Sequence, residues 1–382
     1  MDLKTVAASH YDNVAAELRE MSRTLYDNPE LGHEEDASSH LLAGFLGRNG
    51  FRVEYPAWGL ATAFDALAGD SGPEVVICAE YDALPEVGHA CGHNIIAAAA
   101  CGAGAALAPL ADELGIRIRV LGTPAEEGSG GKVDLMNAGA FDAVAAAMMV
   151  HPSTRDEVDT GFLAVAHIDV EFHGKAAHAA ATPHEGINAL DAAVQAYVNV
   201  STLRQRLLAT DRVHGVITYG GGAPNVTPAF TSMSWYIRSA DDERLAELTP
   251  HVLACFEAAA TATGCTYEVS QQGHPYSNMI VNAVLADLFV ENAAALGREM
   301  TRAGDGFPKG GSTDMGNVSH VVPSIHPMLD IKSLPAVNHQ PEFAAHTITP
   351  DGHLAIRDGA LAMAGTIIDL AVNDRWPDLS VV

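Results

Sequence analysis

Basic charge is scarce in this sequence: 21 Lys and Arg stand against 48 Asp and Glu, a formal net charge of −27 over 382 residues. Nucleic acid and anionic membrane surfaces both require a basic footprint, so neither is expected as a partner. Cysteine is scarce as well. Its five copies form an odd set with no Cys-x-x-Cys pair, which argues against a disulfide framework and for a reducing compartment. No run of about 20 apolar residues reads as a bilayer span. Met1-Asp2-Leu3-Lys4 lacks the basic-then-apolar pattern of a secretory leader. The expectation is a cytoplasmic protein.

What is present is 48% hydrophobic residues in a chain long enough for two domains of unequal size. Leu18, Met21, Leu25 and Tyr26 at helical spacing predict a helix over 15–26, stopped by Asp27-Asn28-Pro29. A second helix is expected over 38–46. Strands follow over 51–55, 61–67 and 75–79, then a small-residue helix over 95–107, a strand over 116–121 and an apolar stretch over 143–150. From about residue 166 the character changes. Strand 168–172, helix 188–203, strands 213–219 and 229–238, helix 242–263 and strand 266–270 form a compact α+β insertion. Helix and strand alternation resumes after Ser277, and the last helix, 353–372, is apolar enough to pack on the main sheet. The expected fold is α/β. A domain of residues 1–166 and 277–382, with a mixed sheet flanked by helices, carries an inserted α+β domain of residues 167–276.

The strand ends carry the chemistry. His89-Ala90-Cys91-Gly92-His93 packs a thiol and two imidazoles onto a strand-to-helix loop, where open α/β sheets bind ligands. Two more strands end in Glu126-Glu127 and His151. Thiolate, imidazole and carboxylate are zinc donors, and manganese accepts the nitrogen and oxygen members of the set. Cys91, His93, Glu127, His151 and His339 could share two divalent ions about 3.5–4 Å apart with one bridging group. If one carboxylate of the Glu126-Glu127 pair binds metal, its neighbour is free to act as general base towards an activated water. Each residue alone reads as structural; an isolated buried cysteine usually behaves as a small hydrophobe. Their recurrence at successive strand ends shifts the balance. Gly220-Gly221-Gly222 lacks the Lys and Ser or Thr of a phosphate loop and reads as an allowance for close approach. Gly310-Gly311 with Ser312 would line the pocket, and His326 has no assigned role.

Taken together, Asn28-Pro29-Glu30-Leu31-Gly32, Tyr81-Asp82-Ala83-Leu84-Pro85, His89-Ala90-Cys91-Gly92-His93, Pro124-Ala125-Glu126-Glu127-Gly128, His151-Pro152, Gly174-Lys175-Ala176-Ala177-His178-Ala179, Gly311-Ser312-Thr313-Asp314-Met315-Gly316 and His339 resemble the M20 metallopeptidase family. The likeness covers nearly the whole chain. It points to the amidohydrolase branch that holds N-acyl-amino-acid hydrolases, aminobenzoyl-glutamate hydrolases and beta-alanyl-lysine-type dipeptidases. The resemblance implies a zinc-peptidase-like catalytic domain, an inserted lid and dimerisation domain, and a homodimer. It makes Cys91, His93, Glu127, His151 and His339 the ligands of two ions, zinc or manganese, with Cys91 bridging. Glu126 becomes the base, Asp82 the acid orienting the centre from behind, and His178 the oxyanion stabiliser, supplied by the partner subunit in dimeric relatives. Arg238 stands where relatives clamp a substrate carboxylate, a natural task for a bidentate guanidinium, and Asn225 resembles a lid asparagine that touches substrate. Asn94 replaces an Asp common in relatives, Ile96 replaces a His, and Glu80 stands where more distant two-zinc peptidases have a metal-binding His.

The implied activity is hydrolysis of the amide bond of an N-acyl amino acid or dipeptide. Three rivals use the same residues differently: a Cys91–His93 thiol hydrolase, a catalytically inactive metal-dependent binding protein, and an amidase of a non-peptide metabolite. The thiol route leaves Glu127, His151 and His339 without a purpose, and an intact Glu126 speaks against an inactive protein.

Overall fold

A computed structural model of the chain describes residues 2–302 and 311–380. Helices α1 (Leu3–Asp27) and α2 (Asp36–Arg48) open the chain, followed by strands β1 (Arg52–Glu54), β2 (Asp65–Ala68) and β3 (Glu74–Ala79). Helices α3 (His93–Leu107) and α4 (Ala111–Leu114) lead to β4 (Arg117–Gly122), α5 (Gly131–Asn137), β5 (Ala146–Met148) and β6 (His151–Ser153). Next come β7 (Ala164–His173), α6 (Ala189–Leu203), β8 (Arg212–Tyr219), β9 (Phe230–Ser239), α7 (Asp242–Thr263) and β10 (Thr266–Gln271). The chain closes with α8 (Ala283–Ala295), α9 (Met315–Ser319), β11 (Ser324–Ile325), β12 (Met328–Asp330), α10 (Pro341–His346) and α11 (Pro350–Val372).

These elements fall into two units. One takes the described residues of Met1–Gly161, Met279–Gly306 and Asp314–Val382, the other those of Phe162–Asn278 and Phe307–Thr313. The first holds a six-stranded sheet in the order β1-β2-β4-β3-β5-β11. Strand β3 runs parallel to β4 and β5, β11 is parallel to β5, and β1 and β2 join antiparallel at the other edge. It is the mixed sheet flanked by helices that the sequence predicts. All six residues of β3 are buried, which is why Val75 to Cys78 read as an unbroken apolar run instead of an alternation.

Helix α1 begins at Leu3, well before residue 15, because Ala7 and Tyr11 continue its buried stripe towards the N-terminus. The helical run His93–Leu114 has the length and hydropathy of a membrane span, contrary to the expectation that no such run exists. In the fold 89% of its apolar window is buried, and α3 lies against α1, α11 and β3. A helix apolar on every side suits such a core.

The second unit is a four-stranded antiparallel sheet in the order β10-β7-β9-β8, packed with α6 and α7 around Phe172, Trp235 and Phe256. Strand β9 alternates buried and half-buried residues along its length, the period-2 pattern of a sheet covered on one face. Strand β8 is an edge and leaves Val216, Ile217 and Tyr219 exposed.

Candidate metal centre

The parallel strands β3, β4 and β5 deliver most of the site at their carboxyl ends. Strand β3 runs on into Glu80 and Asp82, β4 into Glu126 and Glu127, and β5 is followed by His151. Between β3 and α3, Gly92 has φ +85, and a Cβ there would lie 2.3 Å from Pro152 Cγ. Glycine meets both demands, and the loop can therefore bring Cys91 and His93 against His151-Pro152.

Cys91 Sγ is 3.4 Å from His151 Nε2. His93 Nδ1 donates to Asp82 Oδ1 at 3.0 Å, which fixes the ring and turns Nε2 towards the cluster. The second Asp82 oxygen accepts the Glu127 amide at 2.9 Å. His339 arrives on a separate loop with φ +71, its amide bonded to the Ala90 carbonyl at 2.8 Å and its Nε2 3.6 Å from Glu127 Oε1. The donor atoms of Cys91, His93 and His151 all lie within 4.8 Å of one another, as do those of Cys91, Glu127 and His339, and those of His93, Glu126 and Glu127. All five residues expected to bind metal are thus brought together, and Cys91 belongs to two of the three groups.

The donors fit divalent cations. Among the described residues, His93 Nε2 and Glu127 Oε1 are buried atoms with no hydrogen-bond partner, and each faces other donors: Nε2 lies 3.9 Å from Oε1. Burial, then the charge of Glu127, pushes the Cys91 thiol far above its usual range. Burial and the nearby His93 lower His151 to about 4, which keeps it a neutral donor. Burial opposes a charge on His93 too, but the Asp82 carboxylate prevails and lifts it. Glu126 is raised well above the carboxylate range by burial and by Glu80, Glu127 and Asp314. Thiol, imidazole and carboxylate donors at this spacing are a set that divalent metal ions accept, and a carboxylate tuned upwards beside them suits proton transfer.

The family profile described as peptidase family M20/M25/M40 matches residues 76–346. The chain belongs to that family. This M20 chain is accordingly a hydrolase acting on C–N bonds. It is 41% identical to the Xaa-Arg dipeptidase of Mus musculus over 96% of its own length and 89% of the relative's. It is 33% identical to one chain of the p-aminobenzoyl-glutamate hydrolase of Escherichia coli K12, over 64% of this protein and 55% of that relative. Among solved structures, a Bacillus subtilis peptidase described as a dinuclear metal binding member of the M20 family superimposes with a TM-score of 0.70 at 21% identity, covering 94% of this chain and 99% of that one. That last likeness is one of fold.

Within the M20 chain, Asn94 turns away from the donors. Its amide nitrogen donates to Ser22 Oγ at 2.9 Å, to Thr347 Oγ1 at 3.0 Å and to the Ser22 carbonyl at 3.3 Å. An Asp could not donate to that carbonyl, so Asn94 serves the packing of α1 on α3. Glu80 is buried, its Oε1 held by Lys132 and its Oε2 3.6 Å from His93 Nε2. Neither Lys132 nor Glu35 stands out in the sequence, yet both are buried beside the site. The one clue is that each lies a few residues from a motif. His326 is buried with its ring centroid 5.5 Å from that of His151.

The remaining candidates lie in the second unit. Arg238 Nη1 donates to Ser312 Oγ at 2.8 Å, and its guanidinium stands 5.7 Å from the Tyr236 ring centroid. Burial lowers the pKa of the Arg238 guanidinium, and no carboxylate pairs with it among the described residues. His178 and Asn225 are exposed and neighbouring: the Ala179 amide bonds the Asn225 carbonyl at 3.0 Å, and His178 bridges Val226. Gly311 is exposed and its carbonyl accepts the Leu163 amide. Gly310 lies outside the described residues.

Proposed function

We propose that the protein is a metal-dependent dipeptidase or N-acyl-amino-acid hydrolase, using two zinc or manganese ions held by Cys91, His93, Glu127, His151 and His339. The observation that carries this reading is the Cys91 thiol common to two donor groups, with Glu126 packed against both His93 and Glu127. When bound, the ions polarise a carbonyl and make a nucleophilic water available near neutral pH. Glu126 takes the proton from the attacking water and passes it to the leaving amine. Asp82 holds His93 and the Glu127 amide in place. His178, from the same chain or from a partner subunit, steadies the oxyanion.

Arg238, with Ser312 beside it, is the anchor for the free carboxylate of the substrate, because a half-buried guanidinium with no carboxylate partner among the described residues seeks one. Asn225 and Gly311 contact the substrate. The name of the mouse relative and the net charge of −27 favour a basic C-terminal residue. Acylated small metabolites are the second reading, favoured by the name of the E. coli relative. The second unit is the lid and the homodimer contact, supported by the exposed Val194, Tyr197 and Val198 of α6 and the apolar edge of β8. The protein is read as cytoplasmic, without nucleic-acid or membrane partners.

Assay of the zinc- and manganese-loaded protein against dipeptides with basic C-termini, N-acyl amino acids and aminobenzoyl-glutamate tests the proposal. Release of a free amino acid from at least one class is expected; none from any class contradicts it.

A further inference from the structure

The segment from Pro29 to Glu35 has no part in the chemistry above, yet it touches the site at two strand ends. The Ala83 amide donates to the Glu30 carbonyl at 2.8 Å, and Leu31 bridges Ala83 in parallel. The Glu30 carboxylate fastens the segment's other end by accepting the Ala37 and Ser38 amides at the start of α2. At Gly32 an added Cβ would come within 3.1 Å of both Ala125 Cα and Cβ, so the backbone lies directly on the residue before Glu126.

Ala125 is itself unusual. Its φ is +56, a left-handed conformation that a non-glycine residue adopts only at a steric cost. Such a residue persists where its surroundings over-determine it. The Gly130 and Gly131 amides hold its carbonyl, and Glu35 is the side chain that holds its amide: Oε1 accepts the Ala125 amide at 2.8 Å, while Oε2 accepts the Thr62 hydroxyl at 2.8 Å. The Glu35 side chain is fully buried, and no Lys, Arg or His pairs with it among the described residues. A buried carboxylate without a counter-cation is costly unless hydrogen bonds satisfy it. Two residues on, the Glu127 amide is gripped by Asp82 at 2.9 Å. The backbone amides on both sides of Glu126 are therefore each held by a buried carboxylate.

We propose that Glu35 is a positioning residue for Glu126, holding the Ala125 peptide in its left-handed turn so that the Glu126 carboxylate is presented to the reacting water. The proposal rests on reading Glu126 as the general base. Glu35 is not one of the donors and acts through the turn that it holds.

Kinetics and metal content of four variants test it. Glu35→Ala is expected to lower kcat ~10–100-fold, the scale of a misplaced catalytic group, with KM and ions bound per chain unchanged. Glu35→Gln keeps an acceptor for the Ala125 amide, and the Thr62 hydroxyl can turn to accept from its new donor, so kcat stays within a few-fold of wild type. Adding Ala125→Gly to Glu35→Ala restores part of kcat, because glycine takes the positive φ without a brace. Should Glu35→Ala not fold, Thr62→Val frees the other carboxylate oxygen and is expected to lower kcat several-fold with metal retained. Unchanged kcat in Glu35→Ala, or in Thr62→Val where that stands in for it, overturns the proposal. So does a fall in metal content parallel to kcat, or the absence of any rescue by Ala125→Gly. Glu126→Gln measured alongside separates the two claims: an inactive Glu126→Gln beside a normal Glu35→Ala removes only the positioning role.

Discussion

Lys132 binds Asp314 twice, through its amide to Oδ2 at 2.9 Å and through its ammonium to Oδ1 at 2.6 Å, and the same ammonium reaches Glu80 Oε1 at 2.5 Å. All three side chains are buried. The contact ties the end of β3, the start of α5 and the start of α9 into one block behind the donors. Removing one partner of a buried ion pair leaves an uncompensated charge, worth about 3–5 kcal/mol. Lys132→Met should therefore lower the unfolding free energy by about that amount, read in urea as a lower midpoint at unchanged slope, and adding Glu80→Gln with Asp314→Asn should recover much of it. An unshifted midpoint in Lys132→Met would show that the cluster is not held by its charge.

Arg238 gives a prediction about binding. A hydrogen bond to a charged group is worth about 1.5–3 kcal/mol, so Arg238→Ala should raise KM about 10- to 150-fold for a substrate with a free carboxylate. A substrate amidated at that carboxylate should be handled alike by the variant and the wild type. Equal losses on both substrates would assign Arg238 to the structure of β9 instead.

Glu126→Gln should bind as many ions as the wild type while kcat falls by ~10²–10⁴, the usual contribution of a general base. Metal analysis and steady-state kinetics on the same preparation check both halves. Near-normal turnover would remove Glu126 from the proton path.

In the second unit, Asp211 predicts a pH dependence of stability. Burial works against its charge, but Arg244, the Leu208 amide and the Ser239 hydroxyl hold its carboxyl below the ordinary value. The Arg244 Nη2 to Oδ2 distance is 2.7 Å. With the folded value depressed, the stabilisation is complete above the unfolded carboxyl pKa of about 3.9 and is lost as pH falls through the lower folded value. Asp211→Asn should be less stable than wild type near neutrality, and the gap should narrow in thermal melts as pH falls below about 3.9. A gap independent of pH contradicts the assignment.

Much of this was legible in the sequence because the signals were local. Apolar runs ending in Cys91-Gly92-His93, Glu126-Glu127 and His151 placed the donors on strand ends, and a parallel sheet brings such ends to one edge. Helix α7 is found over the residues its spacing predicts, since Asp241 caps it and Gly264 ends it. What escaped was whatever depends on distant partners. Nothing near Lys132 announces a lysine with no exposed surface, since its reason lies at Glu80 and Asp314. Glu35 reads as one of several acidic residues before α2 until its bond to the Ala125 amide is seen. The first half of α1 is not legible because Ala7 and Tyr11 are weak apolar signals that only packing on the core reveals.

Metal dependence, on which the proposed chemistry stands or falls, is measured by the number of divalent ions per chain, together with hydrolysis, in protein stripped by a chelator and then reloaded. Bound ligand stabilises the folded state in proportion to RT ln(1 + [L]/Kd), so stripping should also lower the melting temperature. Two ions per chain are expected on reloading with zinc or manganese, with activity and melting temperature returning alongside them. Full activity in the metal-free protein, or reloading that leaves Cys91 open to alkylation, would contradict the metal centre.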